Sequence, residues 1–450
     1  MILKIYKLIL LMTFMLLNYS IFAQNESVNI EQKTFDLFQN KQYKRLIYVG
    51  ENIIKAEIDY FYLRLRIGIA YYEAGNYRMA AYHLEKALYY NSDDPIELEY
   101  LYYSYLLSGR ISDANFLTRR MTDDLKEKIG YKTKILNSVN LEGGTSLSNN
   151  FPKNSSIDID GDTNIYGEND MSNNVLYAHI GLKHDISPFL SIYHGFSHIG
   201  LEKRKIIRIN NKDSICNYSL TQNEYYINSN IQLKNGIKIT PAFHFIHVGA
   251  NSLAYQYDTT KYIGTFSEST LNINNYVMFL GISKDYKKAT ISLSGSFSNL
   301  NSAKQIQIGL GFTYFPFGNL NLYSSTNLSY FNQKLSASQS NSKENRIIFD
   351  QMIGLKLFPK LWTEGSLTLG NLANFNDKNA FVVYNIADKI NLRTGISLIY
   401  SLSSKIELSL RYQLLMRESN YISYETPKII NTNTINYQNN TIIGGIKWTL

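Results

Sequence analysis

Residues 405–417, KIELSLRYQLLMR, alternate between apolar and polar side chains. In an extended chain, successive side chains point to opposite faces, so this stretch has one apolar face and one polar face. The apolar face carries Ile406, Leu408, Leu410, Tyr412 and Leu414. The polar face carries Glu407, Ser409, Arg411, Gln413 and Arg417. A tilted membrane crossing needs roughly 9–11 residues, so the stretch is long enough to be a transmembrane β-strand.

The same alternation recurs along the chain from residue 133 to residue 450 and predicts fourteen strands. The fourth strand is expected at 220–233 and the thirteenth at 404–418. Short turns, such as Ser187-Pro188 and 234–236, alternate with long polar connections, of which 374–388 is one. Short turns on one side and long loops on the other are typical of a bacterial outer-membrane barrel.

A closed barrel explains why such strands can cross lipid. Every backbone donor needs a partner there, and an open sheet edge is not tolerated. The apolar faces then meet acyl chains and the polar faces line the lumen. A soluble β-sandwich or β-solenoid also alternates, but its strands are usually five or six residues long.

The N-terminus reads as a cleavable signal peptide over residues 1–23. Lys4 and Lys7 precede an apolar run, and Ala23 is a small residue at the expected cleavage point. The mature chain would therefore enter the bacterial envelope. Cys216 is the one cysteine, so no internal disulfide is possible.

Residues 24–132 have helical rather than strand periodicity, with a 34-residue echo. Tyr71, Gly75 and Ala80 are matched 34 residues later by Tyr105, Gly109 and Ala114. This region resembles tetratricopeptide (TPR) repeats, although a generic helical bundle with a chance echo is the alternative. TPR units are interaction scaffolds. The resemblance implies partner docking by the groove tyrosines Tyr71, Tyr72, Tyr77, Tyr102 and Tyr105.

The charge is unevenly distributed between these two regions. Residues 24–132 carry a net charge of −1, whereas residues 133–450 carry +7. Spread over so long a segment, the basic excess could suit anionic lipid headgroups or an anionic passenger. It does not predict a nucleic-acid partner.

Three groups of residues invite a chemical interpretation, and a structural one is preferred for each. Six histidines are close in sequence, but His244 and His247 should lie on opposite faces of a strand. Ser197 and His198 are adjacent and therefore also point apart, which argues against a nucleophile and base. The acidic segment from Asp158 to Asp170 lacks the Glu that ends a calcium loop. We therefore predict no catalytic, cofactor or metal site.

Charged residues on the polar faces are the best candidates for a pore lining. They would either select a ligand or pair across strands and stiffen the interior. With fourteen strands the lumen would be occluded by side chains or narrowly open. By parity the predicted lumenal charges are Glu224, Arg346, Asp350, Lys356, Glu364, Arg393, Glu407, Arg411 and Arg417.

The arrangement as a whole, a signal peptide, a short TPR-like domain and a C-terminal barrel, resembles three kinds of outer-membrane protein. These are TPR-containing exopolysaccharide exporters, surface-lipoprotein assembly modulators and YaiO-like proteins. The last strand, TIIGGIKWTL at 441–450, also resembles the signal read by barrel-assembly machinery, although it ends on Leu450 rather than an aromatic residue.

The resemblance implies a non-enzymatic protein of the outer membrane that exports or assembles a macromolecule, either polysaccharide or protein. Its residues 24–132 would dock a periplasmic protein, and its residues 133–450 would form the barrel in outer-membrane lipid. An anchoring barrel that passes nothing and a diffusion porin are the alternatives.

Overall fold

The computed structural model describes residues 30–132, 134–154, 166–209, 212–258, 263–334, 343–426 and 429–450. The expected signal peptide and the acidic residues 158–162 lie outside these ranges. The chain divides into two compact units, a helical unit that ends at Tyr131 and a strand-rich unit that begins at Lys132.

The helical unit is built from consecutive short helices. They are α1 (30–39), α2 (Tyr43–Lys55), α3 (Phe61–Glu73), α4 (Tyr77–Ala87), α5 (Pro95–Leu107), α6 (Ile111–Leu117) and α7 (Asp123–Lys128). Helices α2, α4 and α6 begin 34 residues apart, and so do α3 and α5. The periodicity seen in the sequence is therefore also a periodicity of helix boundaries.

Local sequence explains where these helices begin and end. The side chain of Asp94 accepts a hydrogen bond from the Glu97 amide (2.9 Å), and Pro95 follows as the first residue of α5. Gly75 and Gly109 follow α3 and α5 with φ of 74° and 78°, a left-handed conformation that glycine adopts without strain. Each helix pair is thus separated by a defined turn.

Small residues set the spacing between neighbouring helices. A Cβ added to Gly68 would lie 2.6 Å from the Leu84 side chain, and one added to Gly50 would lie 2.5 Å from Ile67. Both glycines therefore allow a close approach between consecutive helices. The core that results includes Leu84, Leu98, Leu101 and Ala114.

The second unit is a closed antiparallel barrel of fourteen strands. The strands are β1 (Leu136–Ser148), β2 (Tyr166–Ser187), β3 (Leu190–Ile209), β4 (Lys212–Gln232), β5 (Ile237–Asp258), β6 (Ile263–Tyr286), β7 (Ala289–Ser298), β8 (Lys304–Tyr314), β9 (Leu322–Lys334), β10 (Lys343–Phe358), β11 (Leu361–Leu369), β14 (Lys389–Ser401), β15 (Ile406–Thr426) and β16 (Ile429–Thr449). A separate two-residue hairpin, β12 (Asn376–Asp377) and β13 (Val382–Val383), lies between β11 and β14. A short helix, α8 (Asn150–Asn154), follows β1.

Pairing of the first and last strands closes the barrel, with Ser138 opposite Thr449. The predicted strand number is confirmed. Several strands are longer than the sequence suggested, and β4 begins at Lys212 rather than at 220. Hydrogen-bonded hairpins extend the strands past the apolar band, where side-chain alternation no longer marks them.

The exterior of the barrel is apolar. In β15, Leu408, Leu410 and Tyr412 are 38%, 51% and 40% exposed, and comparable residues recur on the other strands. A closed barrel with such an exterior has every backbone group paired and an oily surface for lipid, which is the architecture of an outer-membrane β-barrel. Among the described residues, no helix has the length and hydropathy to cross a bilayer.

The segment between β11 and β14 corrects one prediction. Residues 374–388 were expected to be an external polar loop, but they fold into the barrel. Leu372, Phe375 and Ala380 are 0%, 5% and 0% exposed and pack against lumen-facing residues of the wall. We refer to residues 370–388 as the inner loop.

Candidate functional site: the barrel lumen and the inner loop

The inner loop is hydrogen-bonded to several strands around the barrel. Gln307 on β8 donates to the Asn376 carbonyl (2.9 Å), and the Asn376 side chain donates to Ser296 on β7 (2.8 Å). Further along the loop, Asn385 donates to Gln222 on β4 (3.3 Å). Because these strands lie on different sides of the lumen, the loop spans the interior and obstructs it.

Arg393 on β14 is the main charged anchor of the inner loop. It forms ion pairs with Asp377 of the loop (2.8 Å) and with Asp350 on β10 (3.0 Å). It also donates to the Tyr384 hydroxyl (2.5 Å) and to Thr368 on β11 (2.7 Å). With the arginine only 5% exposed, these partners satisfy a buried charge and tie the loop to the wall.

An aromatic cluster holds the opposite side of the inner loop. The Phe381 ring lies 5.2 Å from the rings of His179 and Tyr226 and 6.1 Å from that of Tyr193, in edge-to-face geometry. The Tyr226 hydroxyl donates to the Asn379 carbonyl (2.9 Å), and His244 Nδ1 donates to the Ala380 carbonyl (2.7 Å). The loop is therefore anchored by ions on one wall and by rings on the other.

A cavity of about 390 Å³ lies beside the inner loop. Its lining includes Lys238, Thr290 and Glu364, each near the first residue of its strand at a short-turn end, and Lys378 of the loop. We refer to it as the short-turn chamber. Asp350, Arg393 and Arg411 also line it.

Most of the predicted lumenal charges have partners inside the barrel. Glu364 accepts from the Tyr323 hydroxyl (2.5 Å), and Arg411 pairs with Glu142 across the β1–β16–β15 sheet (3.3 Å). Arg417 pairs with Asp388 of the inner loop (3.4 Å). The interior charges are thus largely organised as cross-strand and loop contacts.

The remaining predicted charges are also on the wall. Glu224 is buried 3.5 Å from His244, and Arg346 donates to the inner-loop carbonyl of Ala373. The Lys356 ammonium lies 4.7 Å from the Trp362 ring centre. Glu407, near the start of β15, is half-buried.

Sequence reasoning missed the inner loop itself, including Asp377, Phe381 and Tyr384. A signal was present, because Leu372, Phe375, Phe381, Val382 and Val383 make this connection more apolar than a solvated loop usually is. Those side chains now supply much of the packing within the lumen.

The histidines are divided between the two faces of the barrel. His244 is buried inside, whereas His247 bonds to Asn274 at an exposed position, so the opposite-face prediction holds for this pair. His184 and His194 approach within 3.2 Å between their Nε2 atoms. Within the described residues, no group of three or more potential metal ligands is brought together.

Ser197 does not pair with its neighbour His198. Its hydroxyl instead lies 2.9 Å from Nδ1 of His179, whose Nε2 is 2.7 Å from the Tyr193 hydroxyl. Ser197 is 5% exposed, and these polar groups form the wall behind Phe381. Their geometry is explained by the support they give to the aromatic cluster.

The predicted docking tyrosines fall into two classes. Tyr102 and Tyr105 are 7% exposed and belong to the core of the helical unit. Tyr71, Tyr72 and Tyr77 are half-buried. The Tyr71 hydroxyl donates to Glu51 (2.9 Å), and 34 residues later the Tyr105 hydroxyl donates to Glu85 (3.0 Å). The structure thus leaves three of the five tyrosines partly accessible.

Two carboxyl groups of the helical unit have shifted pKa values. The hydrogen bond from His83 lowers the pKa of Glu51 to about 2, with Tyr71 as a further donor. Burial raises the pKa of Glu97 to about 8, and the nearby Asp94 adds to that effect. Neither carboxyl oxygen of Glu97 has a hydrogen-bond partner within the described structure.

Several solved structures are similar to this chain. A FadL homologue of Pseudomonas aeruginosa has a TM-score of 0.42 and 7% identity, over 70% of this chain and 90% of that one. The toluene transporter TodX of P. putida has a TM-score of 0.41 and 8% identity, over 71% and 91%. A bacterial polysaccharide outer membrane secretin has a TM-score of 0.36 and 8% identity, over 70% and 100%. No protein-family model and no curated protein matches the chain.

Proposed function

We propose that this protein is a gated outer-membrane barrel that exports or assembles a macromolecule, with its lumen closed by the inner loop in the conformation described. The observation that carries the proposal is the inner loop, which crosses the lumen and is held by Arg393 on one wall and by the Phe381 cluster on another. A simple diffusion porin does not need its lumen filled in this way. A passage that opens only for its passenger does.

The helical unit is proposed to be a periplasmic TPR-like docking domain. The support is the 34-residue spacing of helix starts, the close approach at Gly68, and the repeated pair of tyrosine and glutamate. Tyr71, Tyr72 and Tyr77 are the proposed contact residues for a periplasmic protein. Barrel-assembly machinery would insert the barrel, and no catalytic step is proposed.

A second candidate is an anchoring barrel that passes nothing. The number of strands bonded to the inner loop favours it, because a loop fixed to β4, β7, β8, β10 and β14 is costly to move. In this case the helical unit would recruit a periplasmic complex to a permanently closed barrel.

Conductance in planar bilayers separates these candidates. The wild-type protein is expected to give a closed trace, and a variant with residues 374–384 replaced by a short Gly-Ser linker is expected to conduct. A matched control inserts the same linker in place of residues 359–360, in the short turn between β10 and β11. A wild-type protein that conducts steadily would favour the porin and contradict the gated proposal.

Export is tested separately in cells. Deleting residues 32–131 should leave the barrel inserted but abolish surface delivery of the passenger. If surface polysaccharide and surface protein are both unchanged, the anchoring barrel is favoured.

A further inference from the structure

The short-turn chamber has the composition of a ligand site rather than of a packed core. Its walls carry short hydroxyl and amide side chains, among them Thr240, Ser292, Ser294, Asn327 and Gln413. Gly309 and Gly311 face the same space, and a Cβ on either would lie within 3 Å of a serine hydroxyl oxygen. The wall therefore exposes many closely spaced donors and acceptors and keeps the chamber open.

The charges of the chamber are not balanced by its own residues. Arg393 is occupied by Asp350 and Asp377, Arg411 is occupied by Glu142, and Glu364 accepts from Tyr323. Lys238 and Lys378 also line the chamber. Within the described residues, neither of these two ammonium groups forms an ion pair or hydrogen bond with the protein. Two cations are thus left for an anionic group.

The size and the polarity indicate what that group belongs to. About 390 Å³ is within the range of small-ligand sites, which extends over roughly 300–1,000 Å³. A sugar ring carries hydroxyls on most of its carbons and matches a wall of serines, threonines and amides better than an extended peptide does. The ring of Phe279 is part of the same lining and provides an apolar face.

We propose that the short-turn chamber binds an acidic saccharide unit, with Lys238 and Lys378 contacting its carboxylate and the hydroxyl and amide wall contacting its ring. This inference deepens the proposed export function by naming the passenger class as an acidic polysaccharide. Lys378 lies on the inner loop, next to Asp377, which Arg393 holds. A saccharide on Lys378 therefore reaches the loop that closes the lumen.

The test is calorimetric titration of the detergent-purified full-length protein. The probes are trigalacturonate, neutral maltotriose and triglutamate. Trigalacturonate is expected to bind, maltotriose and triglutamate at least tenfold more weakly, and added salt should weaken the binding. Lys378→Gln and Lys238→Gln should each weaken trigalacturonate binding at least tenfold.

Lys360→Gln is the matched control, because it removes the same charge at an exposed position in a short turn and should leave binding unchanged. Equal binding of triglutamate would overturn the saccharide assignment in favour of a peptide passenger. Equal binding of maltotriose, unchanged binding in both lysine variants, or no binding of any probe would overturn the site. None of these outcomes depends on whether the barrel conducts, so they are distinguishable from failure of the gated proposal.

Discussion

Leu410 and Arg411 are neighbours in β15 whose side chains meet different surroundings. Leu410 is 51% exposed on the apolar exterior, while Arg411 pairs with Glu142 inside (3.3 Å). Because side chains alternate along a strand, a single step in sequence moves a residue from lipid to lumen. The effect of a substitution should therefore depend on parity more than on residue type.

Leu410→Arg is expected to destabilise the barrel by about 2–4 kcal/mol, since it places a charge near the middle of the lipid face. Arg411→Leu should be much milder, because it removes one partner of a half-buried pair. Urea unfolding in lipid vesicles, with heat-modifiability on gels as a check of assembly, measures both. Equal tolerance of the two changes would contradict the assigned facing of β15.

Glu97 gives the helical unit a pH dependence. Its pKa is raised from 4.5 to about 8 by burial and by Asp94, so the folded state binds the proton more tightly than the unfolded state. The free energy of unfolding should therefore fall as pH rises from about 4.5 to about 8, by roughly 1.4 kcal/mol for each unit of pKa difference.

Glu97→Gln should flatten this dependence and make the helical unit more stable at pH 8. Circular dichroism at 222 nm during urea unfolding of the full-length protein follows the helices across this pH range. Glu127→Gln, at an exposed position in α7, is the control and should leave the slope unchanged. A wild-type slope in the Glu97 variant would show that another group is responsible.

At the scale of elements, the inner loop is the part of the barrel that differs most from a regular hairpin connection. Its small hairpin, β12 and β13, is short, and its position depends on contacts with the wall. Arg393 carries the largest share of the charged contacts because it joins β10, β14 and the loop. The loop should therefore respond to changes in this residue more than to changes in its own exposed positions.

Arg393→Leu is expected to release the inner loop. Removing the arginine leaves Asp350 and Asp377 without their cation, and breaking a buried pair typically costs about 3–5 kcal/mol. Single-channel recording should show frequent openings that the wild-type protein lacks. Lys405→Gln, in an exposed turn, is the matched loss of charge and should stay closed. A closed trace in the Arg393 variant would mean that the aromatic contacts alone hold the loop.

At the scale of the whole molecule, closure between β1 and β16 is the interaction that leaves no sheet edge in lipid. Eleven residue pairs, from Ser138 with Thr449 to Ser148 with Asn439, form this seam. Because the paired strands are the first and last of the barrel, closure joins residues about 300 positions apart in sequence. Assembly must therefore be complete before the seam can form.

Truncation after Asn440 is expected to abolish barrel assembly, because it removes much of the partner for both β1 and β15 and leaves backbone groups unpaired in lipid. Loss of the heat-modifiable gel band is the measurement. Deletion of residues 32–131 leaves the seam intact and should preserve that band. A truncated protein that still inserts as a heat-modifiable barrel would contradict the closure requirement.

The sequence alone determined the strand number, the short turns and the facing of residues such as Leu410 and Arg411, because alternation and turn chemistry are local. It did not determine the direction of residues 374–388 or the partners of Arg393. Those depend on surfaces contributed together by β4, β7, β8, β10 and β14, which exist only once the barrel is closed. Likewise, the sequence marked Tyr102 and Tyr105 by their spacing, while packing of the helices placed them in the core. Local patterns fix the wall of this protein, and contacts between residues distant in sequence fix what fills it.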